Sequence, residues 1–290
     1  MPDLSRRSFL AAAGAAVLAA KARGDEPPGS PGAPKFKLGL VTYNVAKEWD
    51  LDTVLRLCRE ARFEGVEFRT THAHGVERTL APAERKDVRR KCADGGLLQT
   101  SLGSVCEFHS PDASVVRKNV EDCREWVLLA KDIGARGVKV RPNGLPKDVP
   151  EEKTLEQIGR ALAECGAFAR DHGVEIWVEV HGDQTRIPAR MKRIMDVCSH
   201  PSVGITWNSN DTDVEDGSVA KSFALLRPHV RCAHITDLRS AYPYRELFSL
   251  LAQSGFDGFT LCEFPEPVPA SNGAAWLKDY RERWESLQRS

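Results

Sequence analysis

Eight short apolar runs with strand character alternate with eight helix-like stretches along this chain, and that alternation admits few folds. The runs are KLGLVTY from Lys37, GVEFR from Gly65, LLQTSLG from Leu97, GVKVR from Gly137, VEIWVEV from Val174, VGITWN from Val203, VRCAHIT from Val230 and GFTLCEF from Gly258. Helical periodicity occupies 51–63, 82–95, 113–134, 151–172, 185–198, 217–228, 243–254 and 273–287. Short connections between alternating strands and helices make the strands parallel. Eight such units in about 250 residues predict a closed (β/α)8 TIM barrel, an α/β fold, rather than an open doubly wound sheet. No G-x-G-x-x-G opens a helix, so a dinucleotide-binding reading lacks its phosphate loop. Gly65, Gly137, Gly173 and Gly258 each stand between a helix and a strand, where a left-handed residue is expected to end the helix.

Four of the later runs end on polar residues: Glu179, Asn208, His234 and Glu263, at intervals of 29, 26 and 29. That interval is about one strand-plus-helix unit, so the four side chains are expected to converge at one end of the barrel. Two carboxylates, an imidazole and an amide oxygen can hold a divalent cation and leave room for a substrate oxygen.

Composition limits the remaining classes. With 290 residues, 41% of them hydrophobic, the chain can bury a large core. Lys plus Arg equals Asp plus Glu at 41 each, so no net positive field favours a nucleic-acid partner. At the N-terminus, Ser5-Arg6-Arg7-Ser8-Phe9-Leu10 precedes an Ala-rich apolar stretch and an Ala20-Lys21-Ala22 cleavage pattern. Residues 1–22 therefore read as an export signal of twin-arginine type, addressed to the twin-arginine machinery and placing the protein in the periplasm or outside the cell. The apolar segment is too short for a stable membrane anchor. A Pro- and Gly-rich tether follows over 23–35, and the barrel is expected over 36–290. Eight cysteines spread singly, without a C-x-x-C pair, read mainly as small buried hydrophobes.

Strand alternation selects inward-facing candidates. Glu67 and Arg69 share a face on the second strand, as do Lys139 and Arg141 on the fourth, and Trp177, Glu179 and His181 on the fifth. Cys232 lies on the face of His234, whereas Cys262 lies opposite that of Glu263. Glu67 with Arg69 or Lys139 can equally be a buried ion pair that serves only the fold. His172, His200 and His229 fall in helix or loop positions and are assigned no role.

The chain after the tether resembles the sugar phosphate isomerase/epimerase family, the xylose-isomerase-like TIM barrels. GVEFR, Glu179-Val180-His181, the Val-Gly-Ile of VGITWN, His234-Ile-Thr-Asp237 and YPYRELFSLLAQSGFDGFTLCEF carry the resemblance. It implies one divalent metal ion (manganese, zinc or magnesium) on Glu179, Asn208, His234 and Glu263. The two glutamates then exchange the proton beside a sugar carbonyl. Two positions depart from the family pattern. Asn208 stands where an aspartate is usual, and Asp211 stands where a histidine is usual, so cation affinity falls unless Asp211 supplies the missing charge. The same superfamily contains metal-dependent DNA-repair endonucleases, whose added histidines His72 or His74 with His109 could match. Export and neutral charge argue against that activity, and His72 and His109 are expected at the barrel mouth against substrate or loop backbone.

These readings predict a metal-dependent isomerase or epimerase acting on a small carbohydrate or keto-sugar. Glu179 and Glu263 are the acid and base, and His181, Lys139, Arg141 and Trp207 orient substrate. Glu67, His72, His109, Asp211 and Asp237 complete the candidate site. A dehydratase or other lyase on keto-sugar or inositol-like compounds uses the same first proton abstraction. A carbohydrate-binding barrel whose metal site has decayed through Asn208 is the non-catalytic alternative. Neither the substrate nor the oligomeric state follows from the sequence.

Overall fold

The computed structural model describes residues 35–289. The expected signal over 1–22, and the tether over 23–35 except for Lys35, lie outside the described residues. Eight strands close a parallel barrel in chain order. They are β1 (Lys37–Val41), β2 (Gly65–Arg69), β3 (Leu98–Glu107), β4 (Gly137–Arg141), β5 (Glu175–Glu179), β6 (Val203–Asn208), β7 (Val230–Ile235) and β8 (Phe259–Cys262). A helix follows each strand: α1 (Leu51–Glu60), α2 (Pro82–Asp94), α3 (Ala113–Ile133), α4 (Glu151–Asp171), α5 (Pro188–Cys198), α6 (Ala220–Leu226), α7 (Tyr244–Gln253) and α8 (Ala270–Gln288). The ends of these helices have local causes. Asp50 accepts from Thr53 N at 2.8 Å to cap α1, and Pro82 and Pro188 open α2 and α5 where a missing N–H costs nothing. Pro188 also explains why α5 begins three residues later than periodicity suggests.

Two apolar layers hold the barrel. Between the strands and helices lies the larger one, which includes Leu38, Val66, Phe68, Val138, Val178, Trp207, Ala233 and Cys262. Val41, Trp177, Cys232, Phe259 and Leu261 form the smaller one. Glycines make room for these large inner side chains. A Cβ on Gly39 would stand 2.5 Å from Leu261, one on Gly65 2.5 Å from Phe259, and one on Gly137 2.7 Å from the Trp177 indole. The expectation for the junction glycines is corrected accordingly. Only Gly173 of the four has a positive φ, at 69°, whereas Gly65 and Gly137 serve close packing and Gly258 abuts the Phe256 ring. Gly96, Gly134 and Gly255 supply the left-handed backbone near the ends of α2, α3 and α7.

Strand β3 runs four residues past the expected run, to Glu107, where a shifted register pairs Glu107 with Arg141 of β4. All eight cysteines are buried and free. Among the described residues no helix is long and apolar enough to cross a membrane.

Candidate metal centre at the barrel mouth

Register brings the polar strand ends together. Asn208 pairs with His234 across β6 and β7, and Glu179 pairs with Thr206 two residues before Asn208. His234 is fully buried, and its Nδ1 lies 3.6 Å from Glu179 Oε1 and 3.2 Å from Glu263 Oε2. Glu179, His234 and Glu263 each offer a ligand atom, and these atoms lie within 4.8 Å of one another. Asn208 turns its amide to Glu179, with Nδ2 3.3 Å from Oε1. The four side chains therefore form one cluster, and Glu179, Asn208 and Glu263 open onto a cavity of about 550 Å³.

Behind the cluster, Glu67 Oε2 accepts from Ser101 Oγ at 2.6 Å and faces His234 Nε2 at 3.3 Å. A carboxylate can only accept, so Nε2 carries the proton and Nδ1 is left to the Glu179 and Glu263 side. That Nδ1 is buried without a hydrogen-bond partner. A histidine oriented by a carboxylate behind it, with its second nitrogen between two further carboxylates, is the donor arrangement of a first-row divalent ion. The residues thus fit a metal. The same crowding explains the charge states. Burial alone would push the His234 imidazole down, but the Glu263 and Glu67 carboxylates raise it well above its ordinary value, so the ring is cationic until an ion takes the place of the Nδ1 proton.

Lys139 is buried, with Nζ 2.7 Å from Glu179 Oε2. Burial would raise the Glu179 carboxyl, yet the Lys139 and His234 charges hold it well below the carboxylate range. Glu179 therefore directs one oxygen to Lys139 and the other to the cluster. On the neighbouring wall, Glu107 Oε1 accepts from Asn143 Nδ2 at 2.6 Å, which turns the Asn143 oxygen toward His181 Nδ1 at 2.8 Å. His181 Nδ1 must then donate, leaving Nε2 with a lone pair. Burial lowers the His181 pKa, so the ring is neutral at pH 7.

The cavity is lined by Lys139, Arg141, Glu179, His181, Asn208 and Glu263 among the expected residues. Glu67 lies beneath it. His72, His109, Asp211 and Asp237 are not on its wall: Asp211 is 77% exposed near Arg186, and Asp237 accepts from Arg239 N. The substrate-orienting role expected of Trp207 is corrected. Its indole faces the helix layer against Phe223 and donates to Tyr242 Oη at 3.1 Å, because alternation turns it opposite Asn208. His74, also singled out, fixes loop backbone: it accepts from Val76 N and its Nε2 meets Arg69 O at 2.9 Å, with burial lowering its pKa to about 4. Sequence reasoning passed over Tyr43, Asn143, Arg186 and Asn210. Asn143 was detectable, since it continues the inward alternation of Lys139 and Arg141.

Residues 55–280 match the family described as xylose isomerase-like TIM barrel. Solved structures share the fold at low identity. The IolI protein with a bound zinc atom is 15% identical with a TM-score of 0.73, covering 87% of this chain and 98% of its own. The 3-keto-D-glucoside 4-epimerase YcjR of E. coli is 15% identical at TM-score 0.70, covering 88% and 100%. The probable 3-DHS dehydratase AsbF of Bacillus anthracis is 17% identical at TM-score 0.68, covering 85% and 99%. No curated protein matches the sequence.

Proposed function

The chain belongs to the xylose isomerase-like TIM barrel family, and from that premise we propose that it is a metal-dependent isomerase or epimerase acting on a keto-sugar. The observation that carries this reading is the convergence of Glu179, His234 and Glu263, with the His234 Nδ1 unpartnered between two carboxylates. Glu179, Asn208, His234 and Glu263 would hold the ion, Asn208 through its amide oxygen. Once bound, the ion would polarise the carbonyl and neighbouring hydroxyl oxygens of the sugar.

The chain's own groups account for the proton. Glu179 is a carboxylate at neutral pH because the buried Lys139 ammonium holds it so, and it accepts the proton from the carbon beside the carbonyl. Glu263, reached from the cavity, must enter the cycle protonated: it gives its own proton to the same or the neighbouring carbon and becomes a carboxylate, and solvent exchange then resets the two glutamates. His181 offers its Nε2 lone pair to a substrate hydroxyl. The 3-keto-D-glucoside 4-epimerase among the structural neighbours is in keeping with this reading, and we assign the exported compartment from the twin-arginine pattern.

Incubation of the manganese- or zinc-supplemented protein with keto-sugars in deuterated water tests the reading. Deuterium is expected at the carbon beside the carbonyl. Glu179→Gln or Glu263→Gln should each lower that exchange by roughly a hundredfold or more while sugar binding persists. Sugar binding with no exchange would contradict an enzyme. An unsaturated product would move the reading to a lyase.

A further inference from the structure

Four cations and three acids, Glu179, Asp183 and Glu263, line the cavity, and the cations are unequally satisfied. Arg69, Lys139, Arg141 and Arg186 all line it. Lys139 is committed to Glu179, and Arg186 approaches Asp211 at 3.5 Å. Arg69 forms no ion pair among the described residues; its one bond is a long contact of 3.4 Å from Nη1 to Gly103 O. Arg141 bonds Glu107 through Nη2, but its Nε is buried without a partner. The backbone and stem of Arg69 are held in place. Arg69 N donates to Thr42 Oγ1 at 2.8 Å and its carbonyl meets His74, while a Cβ at position 103 would come within 3.0 Å of the Arg69 Cδ. Lys139 already has its counter-charge in Glu179, so among the described residues Arg69 is the lining cation left without one, and an anion entering the cavity would supply it.

We infer that the substrate of this site is an anionic sugar, and that Arg69 and Arg141 receive its carboxylate or phosphate while the rest of the molecule reaches Glu179, His234 and Glu263. This rests on the isomerase or epimerase reading and narrows it to substrates of one charge class. A guanidinium with unused N–H donors matches a planar carboxylate or a phosphate, and such charge-assisted pairs form the stronger class of hydrogen bond. A neutral ketose would leave the Arg69 charge uncompensated.

Three probes that differ only at one terminal carbon test this: D-fructose, D-fructuronate and D-fructose 6-phosphate, titrated calorimetrically into the metal-supplemented wild-type protein. At least one anion should bind roughly ten- to hundredfold more tightly than D-fructose, with the advantage shrinking as salt rises. Which anion wins separates a carboxylate from a phosphate source. In Arg69→Met and in Arg141→Met, which keep the aliphatic stem, the preference should fall toward unity while metal content stays at the wild-type level. Equal affinity for the neutral and charged sugars, no detectable anion binding at the solubility limit, or an anion preference that survives both substitutions would each overturn the inference. Metal content and deuterium exchange are measured on the same samples. A protein that holds metal and exchanges the proton but ignores charge fails only here, whereas one that does neither fails the broader reading.

Discussion

At the scale of single residues, the site works by using up hydrogen-bonding options. Glu67 can only accept, so His234 presents Nδ1 to the cluster; Glu107 can only accept, so Asn143 turns its oxygen to His181 and leaves Nε2 free. Replacing Glu67 with Gln removes the charge behind His234 and gives its Nε2 an ambiguous partner. Metal affinity should fall about 10- to 100-fold in Glu67→Gln, measured by competition with a chelator. Unchanged affinity would show that Glu67 does not orient the imidazole. The first relay was half legible in the sequence, because alternation put Glu67 on the inner face. The second was not, because β3 extends to Glu107 through a register shift that no local pattern announces.

At the scale of elements, the connection from β6 to α6 carries Asn208, Ser209 and Asn210 on the cavity wall, and a buried acid holds it. Asp213 is 1% exposed, and its Oδ2 accepts from Asn210 N at 2.9 Å and from Tyr242 Oη at 3.1 Å, while Oδ1 has no partner. Burial raises its pKa to about 7; the Asn210 N–H and Tyr242 oppose the shift, Asp211 adds to it, and Arg186 subtracts. The sign follows. A group whose folded pKa is raised stabilises fully below its unfolded value of 3.8, and that contribution is lost as pH rises to about 7. Wild-type protein should therefore lose stability between pH 5 and pH 8 relative to Asp213→Asn, by on the order of 1–3 kcal/mol in denaturant unfolding. Parallel profiles for the two proteins would contradict a protonated Asp213. Nothing in the sequence DTD distinguishes the buried Asp213 from the exposed Asp211, since burial here depends on Tyr242 arriving from the connection before α7.

At the scale of the whole molecule, the order of the barrel follows from repetition. Eight alternating segments dictate parallel strands and closure, and regular spacing then brings Glu179, Asn208, His234 and Glu263 to one end, which is why these were readable before any coordinates. Trp207 misleads because alternation places it in the helix layer. The junction glycines mislead for another reason. A helix-ending glycine and one that admits a neighbouring ring look alike in sequence, and only the packing of Trp177 and Phe259 tells them apart. Asn208 is the position on which the account depends most, because a neutral ligand must still leave a site that retains its ion. Elemental analysis of the purified full chain beside a His234→Ala variant tests that directly. Near-stoichiometric manganese, zinc or magnesium in the wild type, lost in the variant while its fold persists, is the predicted result. Metal absent from both proteins, with no uptake when manganese or zinc is supplied, would contradict it.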